Sequence, residues 1–128
     1  MHIRILLFED FDLDAEVIEA AIQDNSDKYT LERVCKLEDG LRSLTEQGCD
    51  CILLDLNLPD SKGLETLRRI RKETLEPIIV LTSGTDIEVS MDALKNGAQD
   101  FIPKEELQPP LLLRTLSYTL QRRQSVAA

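Results

Sequence analysis

The chain has 128 residues, of which 42% are hydrophobic and 30% charged, with only five glycines and five prolines. This length and composition fit one globular domain and exclude a disordered, fibrous or two-domain chain. Fifteen basic and 24 acidic residues give a net charge of −9, which disfavours direct binding to nucleic acid or to an anionic membrane.

The sequence contains neither a membrane span nor a secretion signal. No apolar stretch reaches the roughly 18–20 residues of a transmembrane helix. The apolar run that opens the chain leads into acidic residues without a cleavage pattern, so we expect a cytoplasmic protein. The three cysteines are an odd number and two of them lie two residues apart, which is poor geometry for a disulfide, so we predict three reduced thiols: Cys35, Cys49 and Cys51.

Short aliphatic runs alternate with segments of helical spacing along the whole chain. The aliphatic runs predict strands at residues 3–8, 29–34, 51–54, 77–81 and 99–102. The intervening segments predict helices at residues 13–24, 38–47, 61–73, 86–96 and 106–123. Residues 124–128 show no periodicity, which predicts one domain over residues 1–123 and a frayed tail after it.

Strands that alternate with helices predict an α/β fold, because right-handed crossovers place the helices on both faces of a parallel sheet. We expect a five-stranded, flavodoxin-like sheet with the strand order 2-1-3-4-5. This order is adopted from known folds of that type rather than derived from the residues. It makes the first and third strands neighbours at the point where the strand order reverses.

Polar side chains follow four of the predicted strands at their carboxyl ends. Glu9 and Asp10 follow the first strand, Asp55 the third, Thr82 the fourth and Lys104 the fifth. In an open parallel sheet, ligands bind beyond these ends, near the reversal of strand order. We therefore expect these five side chains to converge on one site.

The three carboxylates of this set cannot all stay charged and close together without compensation. At about 4 Å and an effective dielectric of about 20, each pair repels by roughly 4 kcal/mol. The sum of about 12 kcal/mol rivals the whole stability of a domain, about 5–15 kcal/mol. The acids must spread apart, or one takes a proton, or a divalent cation binds; oxygen-only ligands favour Mg²⁺.

The hydroxyl of Thr82 and the ammonium of Lys104 are the donors that a phosphoryl group on a carboxylate needs. Asp55 is the natural nucleophile, since a carboxylate that attacks phosphorus becomes an acyl phosphate. We therefore predict phosphoryl transfer with three reacting residues: Asp55, Thr82 and Lys104.

At these residues the chain resembles the receiver domain of two-component response regulators, the CheY-like family, over residues 3–123. The resemblance rests on the acidic pair after Phe8, on Leu81-Thr82-Ser83, on Asp100-Phe101-Ile102-Pro103-Lys104, and on Leu53-Leu54-Asp55-Leu56-Asn57-Leu58-Pro59 followed by Gly63. It implies that Asp55 accepts a phosphoryl group from a histidine kinase or a histidine phosphotransfer protein. It also implies a set of Mg²⁺ ligands, namely Glu9, Asp10, Asp55 and the backbone carbonyl of Asn57.

By the same resemblance, Thr82 and Phe101 form a conformational switch. Thr82 moves toward the phosphoryl group, Phe101 turns inward, and the surface of the fourth helix, fifth strand and fifth helix repacks. That surface then binds a downstream effector protein, an effector domain outside this sequence, or a second copy of the chain. In this family, Asn57 and Gly84 occupy positions that influence how readily water reaches the acyl phosphate.

Two positions depart from the family pattern. Lys104 is followed by Glu105 rather than by the usual proline, and Pro103 precedes it; Glu9 stands where aspartate is commoner. The acidic pair also has an explanation that needs no ligand. Glu9 and Asp10 suit the positive N-terminal end of the first helix, and Asp12 suits the position of its cap.

The favoured function is a phosphorylated signalling switch that acts on no outside substrate, and three other functions are its alternatives. A flavodoxin-like electron carrier is disfavoured, because the acidic loop after the first strand would repel the flavin phosphate. A phosphatase of the haloacid dehalogenase type needs a second acid where this chain has Asn57. A receiver-like interaction module that is never phosphorylated remains the alternative.

Overall fold

The computed structural model describes residues 2–83 and 87–127, and for residues 124–127 it describes the backbone but not the side chains. Five parallel strands form its sheet. The strand order is β2-β1-β3-β4-β5, which confirms the expected flavodoxin-like α/β fold. The strands are β1 (Ile3–Phe8), β2 (Tyr29–Val34), β3 (Cys51–Asp55), β4 (Ile78–Thr82) and β5 (Asp100–Pro103). The helices are α1 (Asp12–Gln23), α2 (Leu37–Glu46), α3 (Leu64–Arg71), α4 (Ile87–Lys95) and α5 (Pro109–Ala127), with a short 3-10 helix at Lys104–Glu106.

The sheet is buried on both faces, because successive side chains of a strand point to opposite sides. Ile5 and Leu7 of β1 face a core layer that includes residues of α1 and α5, and Leu6 and Phe8 face a layer that includes residues of α2, α3 and α4. Every residue of β3 and β4 is buried, which explains why their sequences are solidly aliphatic rather than alternating. The sheet therefore provides a rigid base for the loops at its carboxyl edge.

Two helices start three residues later than the sequence predicts, whereas the other described helix starts agree to within one residue. Helix α3 begins at Leu64 rather than at residue 61, because Leu58 and Ser61 pair in a tight turn and Gly63 has a φ of 66°, which suits glycine. Helix α5 begins at Pro109 rather than at residue 106, since residues 104–106 form the 3-10 helix and proline suits a first helical turn.

The backbone of α5 runs to Ala127, and a domain boundary at residue 123 stays a prediction. The predicted start of the fourth helix at Asp86, like Gly84, lies outside the described residues.

Among the helices that the structure describes, none has the length and apolar character to cross a membrane. The three cysteines are free thiols, as predicted.

Candidate functional site

The carboxyl edge of the sheet brings the predicted acids together. Glu9 follows β1 and is fully buried, Asp10 is exposed, and Asp55 is the last residue of β3. Their carboxylate oxygens lie within 4.8 Å of one another. The parallel pairing of β1 with β3 produces this cluster, since it aligns the two strand ends at one edge.

Lys104 enters the cluster from the end of β5. Its Nζ donates hydrogen bonds to Asp14 Oδ2 at 2.8 Å and to Asp55 Oδ2 at 2.9 Å, and lies 3.0 Å from Glu9 Oε1. Asp14 is a site residue that the sequence motifs did not indicate. Its signal was its place in the first turn of α1, directly after the loop that carries the acidic pair.

The cluster changes the proton affinities of its members. Burial, together with the adjacent negatively charged carboxylate of Asp55, raises the pKa of Glu9 to about 7, although the nearby ammonium of Lys104 opposes the shift. Burial disfavours the charged form of Lys104, but its hydrogen bonds to Asp14 and Asp55 and its ion pair with Glu9 outweigh burial and raise the pKa of the ammonium above its ordinary value. Protonation of one acid, an outcome considered from the sequence, is thus available at neutral pH.

The donor set fits a hard divalent cation. Glu9 Oε1 is buried and has no hydrogen-bond partner among the described residues, so it has an uncommitted lone pair directed at the cluster. Three carboxylates with oxygen-only donors match the preference of Mg²⁺. Asn57 directs its side-chain Oδ1 to the backbone N–H of Gly63 at 3.2 Å. A role for its backbone carbonyl as a metal ligand stays a prediction.

A cavity of about 310 Å³ opens beside Asp55, whose side chain is otherwise largely buried. Thr82 and Lys104 line this cavity together with Asn57. The hydroxyl of Ser90 on α4 donates a hydrogen bond of 3.2 Å to Thr82 Oγ1. The predicted phosphoryl-binding side chains therefore surround one space that a small anionic group can enter.

Phe101, the predicted switch aromatic, lies half-buried on β5 against the core layer of α2, α3 and α4. Large apolar side chains are exposed on the neighbouring helices, with Ile87 72%, Met91 48% and Tyr118 61% exposed. The surface that the resemblance assigns to partner binding thus carries apolar side chains in contact with solvent.

Polar contacts from neighbouring elements hold the loops of the site. Arg33, at the end of β2, donates from Nε to the backbone carbonyl of Glu9 at 2.9 Å. Thr66 of α3 donates from Oγ1 to the carbonyl of Leu56 at 2.8 Å. Sequence reasoning found neither residue, because both partners are backbone carbonyls distant in the chain.

Asp12 does not cap the first helix, so the capping role predicted for it was wrong. The residue before α1 is Phe11, which makes no side-chain capping bond, and Asp12 is the first residue of the helix. Its carboxylate instead pairs with Arg33 at 2.9 Å. The neighbouring Glu9 is buried; its Oε2 accepts a hydrogen bond of 3.2 Å from the backbone N–H of Phe11, directly before α1, and its Oε1 lies in the cluster beside Lys104.

Comparison with known proteins agrees with this geometry. The model of the response regulator receiver domain family matches residues 5–116. The chain is 36% identical over 124 residues to the transcriptional regulatory protein DltR of Streptococcus agalactiae, covering 93% of this chain and 54% of that relative. The chain thus spans about half the length of this curated relative.

Two solved structures share the fold. One is the receiver domain of a sensor histidine kinase from Pseudomonas aeruginosa with a magnesium ion coordinated in its active site cleft; it is 29% identical, with a TM-score of 0.80 and coverage of 94% of this chain and 99% of that one. The other, a CheY-like receiver domain protein from Methanospirillum hungatei, is 24% identical, with a TM-score of 0.85 and coverage of 98% of each chain. With strand order, acidic cluster and family model in agreement, this chain belongs to the response regulator receiver domains of two-component signalling.

Proposed function

We propose that this receiver is a phosphoacceptor and that Asp55 takes a phosphoryl group from a histidine kinase or a histidine phosphotransfer protein. The observation that carries the proposal is the setting of Asp55. Asp55 lines the cavity and belongs to the acidic cluster, and its carboxylate accepts hydrogen bonds from the backbone N–H of Asn57 at 2.9 Å and from Lys104 Nζ. These donors fix its direction without occupying all its lone pairs.

In the proposed transfer, a carboxylate oxygen of Asp55 attacks the phosphorus of a phosphohistidine. The new O–P bond forms as the P–N bond breaks, and the imidazole nitrogen leaves with the bonding electron pair. The ammonium of Lys104 and the hydroxyl of Thr82 donate hydrogen bonds to the phosphoryl oxygens, where negative charge is spread in the transition state. The product is an aspartyl phosphate on this chain, so we propose a switch and not an enzyme acting on an outside substrate.

Mg²⁺ is the cofactor that the residues support. Glu9, Asp10, Asp55 and the backbone carbonyl of Asn57 would hold it, and its positive charge would offset the charge of the phosphoryl group. Glu9 must be deprotonated to serve as a ligand, and its raised pKa places that proton near neutral pH. Before phosphorylation, Lys104 directs one ammonium hydrogen at Asp55.

The proposed output is a change in the surface formed by α4, β5 and α5. Thr82 would exchange its hydrogen bond from Ser90 for one to the phosphoryl group, and Phe101 would turn inward. The population of the two packings would shift by the extra contacts of the phosphoryl group. We propose that the exposed Ile87, Met91 and Tyr118 then contact an effector protein, an effector domain or a second copy in a homodimer.

The net charge of −9 favours a protein partner over direct contact with nucleic acid or an anionic membrane, and we propose that the two proteins meet in the cytoplasm. Size-exclusion chromatography with and without beryllofluoride tests the homodimer. A mass that doubles with beryllofluoride supports it, and an unchanged mass leaves a different protein as the partner.

The proposed function is tested by phosphorylation with acetyl phosphate and Mg²⁺, followed by intact mass measurement. We expect one added phosphoryl group on the wild type and none on Asp55→Asn. The control variant Asp60→Asn keeps a nearby, exposed position in the loop after β3 and should still be phosphorylated. If the wild type gains no group that Asp55→Asn abolishes, the chain is the non-phosphorylated interaction module instead.

A further inference from the structure

We infer that Asp14 is a positioning residue for phosphoryl transfer: its carboxylate holds the Lys104 ammonium in place beside Asp55. The inference rests on the proposed function of Asp55. It adds a residue of α1 to the site that neither the motifs nor the strand ends indicate.

The geometry divides the hydrogens of the ammonium among the acids. A lysine ammonium has three N–H donors. One is directed to Asp14 at 2.8 Å and one to Asp55 at 2.9 Å. Glu9 Oε1, at 3.0 Å, forms an ion pair without hydrogen-bond geometry. The third hydrogen is therefore available to an oxygen of an incoming phosphoryl group while Asp14 keeps its own.

The ammonium of Lys104 needs a partner that fixes its position, because of where the residue lies. Its ammonium ends a flexible four-carbon stem, and lysine loses considerable rotamer entropy when it is fixed. The residue begins the short 3-10 helix after β5, where its backbone carbonyl accepts one bond, from the N–H of Leu107 at 3.2 Å. Asp14 belongs to a twelve-residue helix that packs on the sheet, so its carboxylate is a comparatively fixed point.

The burial of the pair strengthens their contact. The side chains of Lys104 and Asp14 are 23% and 25% exposed, so solvent screens them less than an ion pair on the open surface. By contrast, Asp12 on the same helical turn has an 81% exposed side chain and pairs with Arg33. The two aspartates differ in contact and burial, although they carry the same charge on the same helix.

A purely electrostatic role of Asp14 and a positioning role predict opposite effects of its removal on the rate of phosphorylation. A negative charge at Asp14 repels an incoming phosphoryl group, so removing it speeds phosphorylation if only the field matters. If Asp14 positions Lys104, removing it slows phosphorylation, because the ammonium is no longer fixed where charge develops. The sign of the change therefore separates the two roles.

The experiment compares Asp14→Ala, Asp14→Asn and the matched control Asp12→Ala in the full chain. The rate of phosphorylation by acetyl phosphate is measured at saturating Mg²⁺. We expect Asp14→Ala to be about tenfold slower, the scale of one charge-assisted hydrogen bond. Asp14→Asn, which keeps a neutral acceptor, should recover part of the rate, and Asp12→Ala should match the wild type.

A second measurement needs neither Mg²⁺ nor a phosphoryl donor. The ammonium hydrogens of Lys104 are observed by NMR and assigned by their absence in Lys104→Met. We expect a slowly exchanging signal in the wild type and in Asp12→Ala, and its loss in Asp14→Ala. A signal that survives in Asp14→Ala overturns the positioning role.

The outcomes distinguish this inference from the proposed function. If the wild type is phosphorylated and Asp14→Ala reacts as fast or faster, the inference is wrong and the phosphoacceptor function stands. If the wild type gains no phosphoryl group at all, both are wrong. A slower Asp14→Ala with partial rescue by Asp14→Asn supports the inference.

Discussion

Arg33 and Glu9 are joined across two strands by a hydrogen bond from the guanidinium Nε to the backbone carbonyl of Glu9 at 2.9 Å. The bond links the carboxyl end of β2 to the loop that carries the acidic pair. The same guanidinium pairs with Asp12, so one side chain holds the loop on both sides of Asp10. The position of the acids thus depends on a residue outside the cluster.

The first prediction concerns this link. Arg33→Met should lower the free energy of unfolding by about 1–2 kcal/mol, the scale of a partly buried charged hydrogen bond. It should also weaken Mg²⁺ binding severalfold, because the carbonyl of Glu9 loses its donor. Chemical denaturation and calorimetric titration with Mg²⁺ measure the two effects.

A matched control is Asp12→Asn, which removes the ion pair with Arg33 but leaves the bond to the carbonyl of Glu9. We expect it to bind Mg²⁺ almost as well as the wild type. Equal losses of Mg²⁺ affinity in both variants would assign the effect to the ion pair between Arg33 and Asp12 rather than to the bond to the carbonyl of Glu9, because on charge alone the two changes act in opposite directions.

The second prediction is a pH dependence set by Glu9. Burial and the neighbouring Asp55 raise the pKa of Glu9 to about 7 from the ordinary 4.5, so the fold favours the protonated acid. This contribution to stability is complete below the ordinary pKa and is lost as the pH rises through about 7. In Mg²⁺-free buffer, Glu9→Gln should therefore gain stability relative to the wild type as the pH rises from about 4.5 to about 7, and keep that gain at higher pH.

Mg²⁺ binding by the wild type should show the reverse trend. Affinity should fall as the pH drops through about 7, because a proton on Glu9 competes with the cation. Titrations at several pH values measure this change. An affinity that stays flat between pH 6 and 8 would remove Glu9 from the set of ligands.

The third prediction concerns a close approach between α2 and β1. A Cβ at Gly40 would lie 1.9 Å from the ring of Phe8, which is fully buried. Alanine would gain about 1 kcal/mol in helix propensity, but overpacking a filled core costs about 1–3 kcal/mol. The difference is a net loss of up to about 2 kcal/mol, so we expect Gly40→Ala to be destabilising in denaturant unfolding.

The double variant Gly40→Ala with Phe8→Leu provides the control. Leucine leaves room where the ring stood, so the two changes together should cost less than their sum. If the losses in free energy of unfolding of the two single variants simply add, the contact with Phe8 does not limit the size of residue 40.

The fourth prediction concerns Asp60, whose carboxylate accepts the backbone N–H groups of Leu37 at 2.8 Å and Glu38 at 3.1 Å, at the start of α2. Slight burial opposes the shift, but these hydrogen bonds lower the pKa of Asp60 below its ordinary value. Asp60→Ala should lower stability by about 1 kcal/mol at neutral pH, the usual effect of losing a helix cap.

The sign of the pH effect follows from the lowered pKa. The contribution of Asp60 is present above the ordinary pKa of 3.8 and is lost as the pH falls through the lower value of the folded protein. The stability difference between wild type and Asp60→Ala should therefore shrink in acid. A difference that grows on acidification would contradict this capping role.

The sequence by itself determined the alternation of strands and helices, and, with the strand order adopted from known folds, the members of the acidic cluster. The bounds of β1 and β2 were predicted to the residue, because each is an extended run set off by polar residues. Glu9, Asp10 and Asp55 could be placed together since parallel strands align their carboxyl ends at one edge. Local patterns and one rule of topology sufficed for these features.

Only the tertiary structure decided which groups contact the cluster from elsewhere in the chain. Asp14 lies ninety positions before Lys104, and Arg33 contacts a backbone carbonyl, which no residue pattern marks. Such contacts depend on how each helix sits on the sheet and on where each side chain ends. They arise from packing between distant elements, which periodicity within a single element cannot specify.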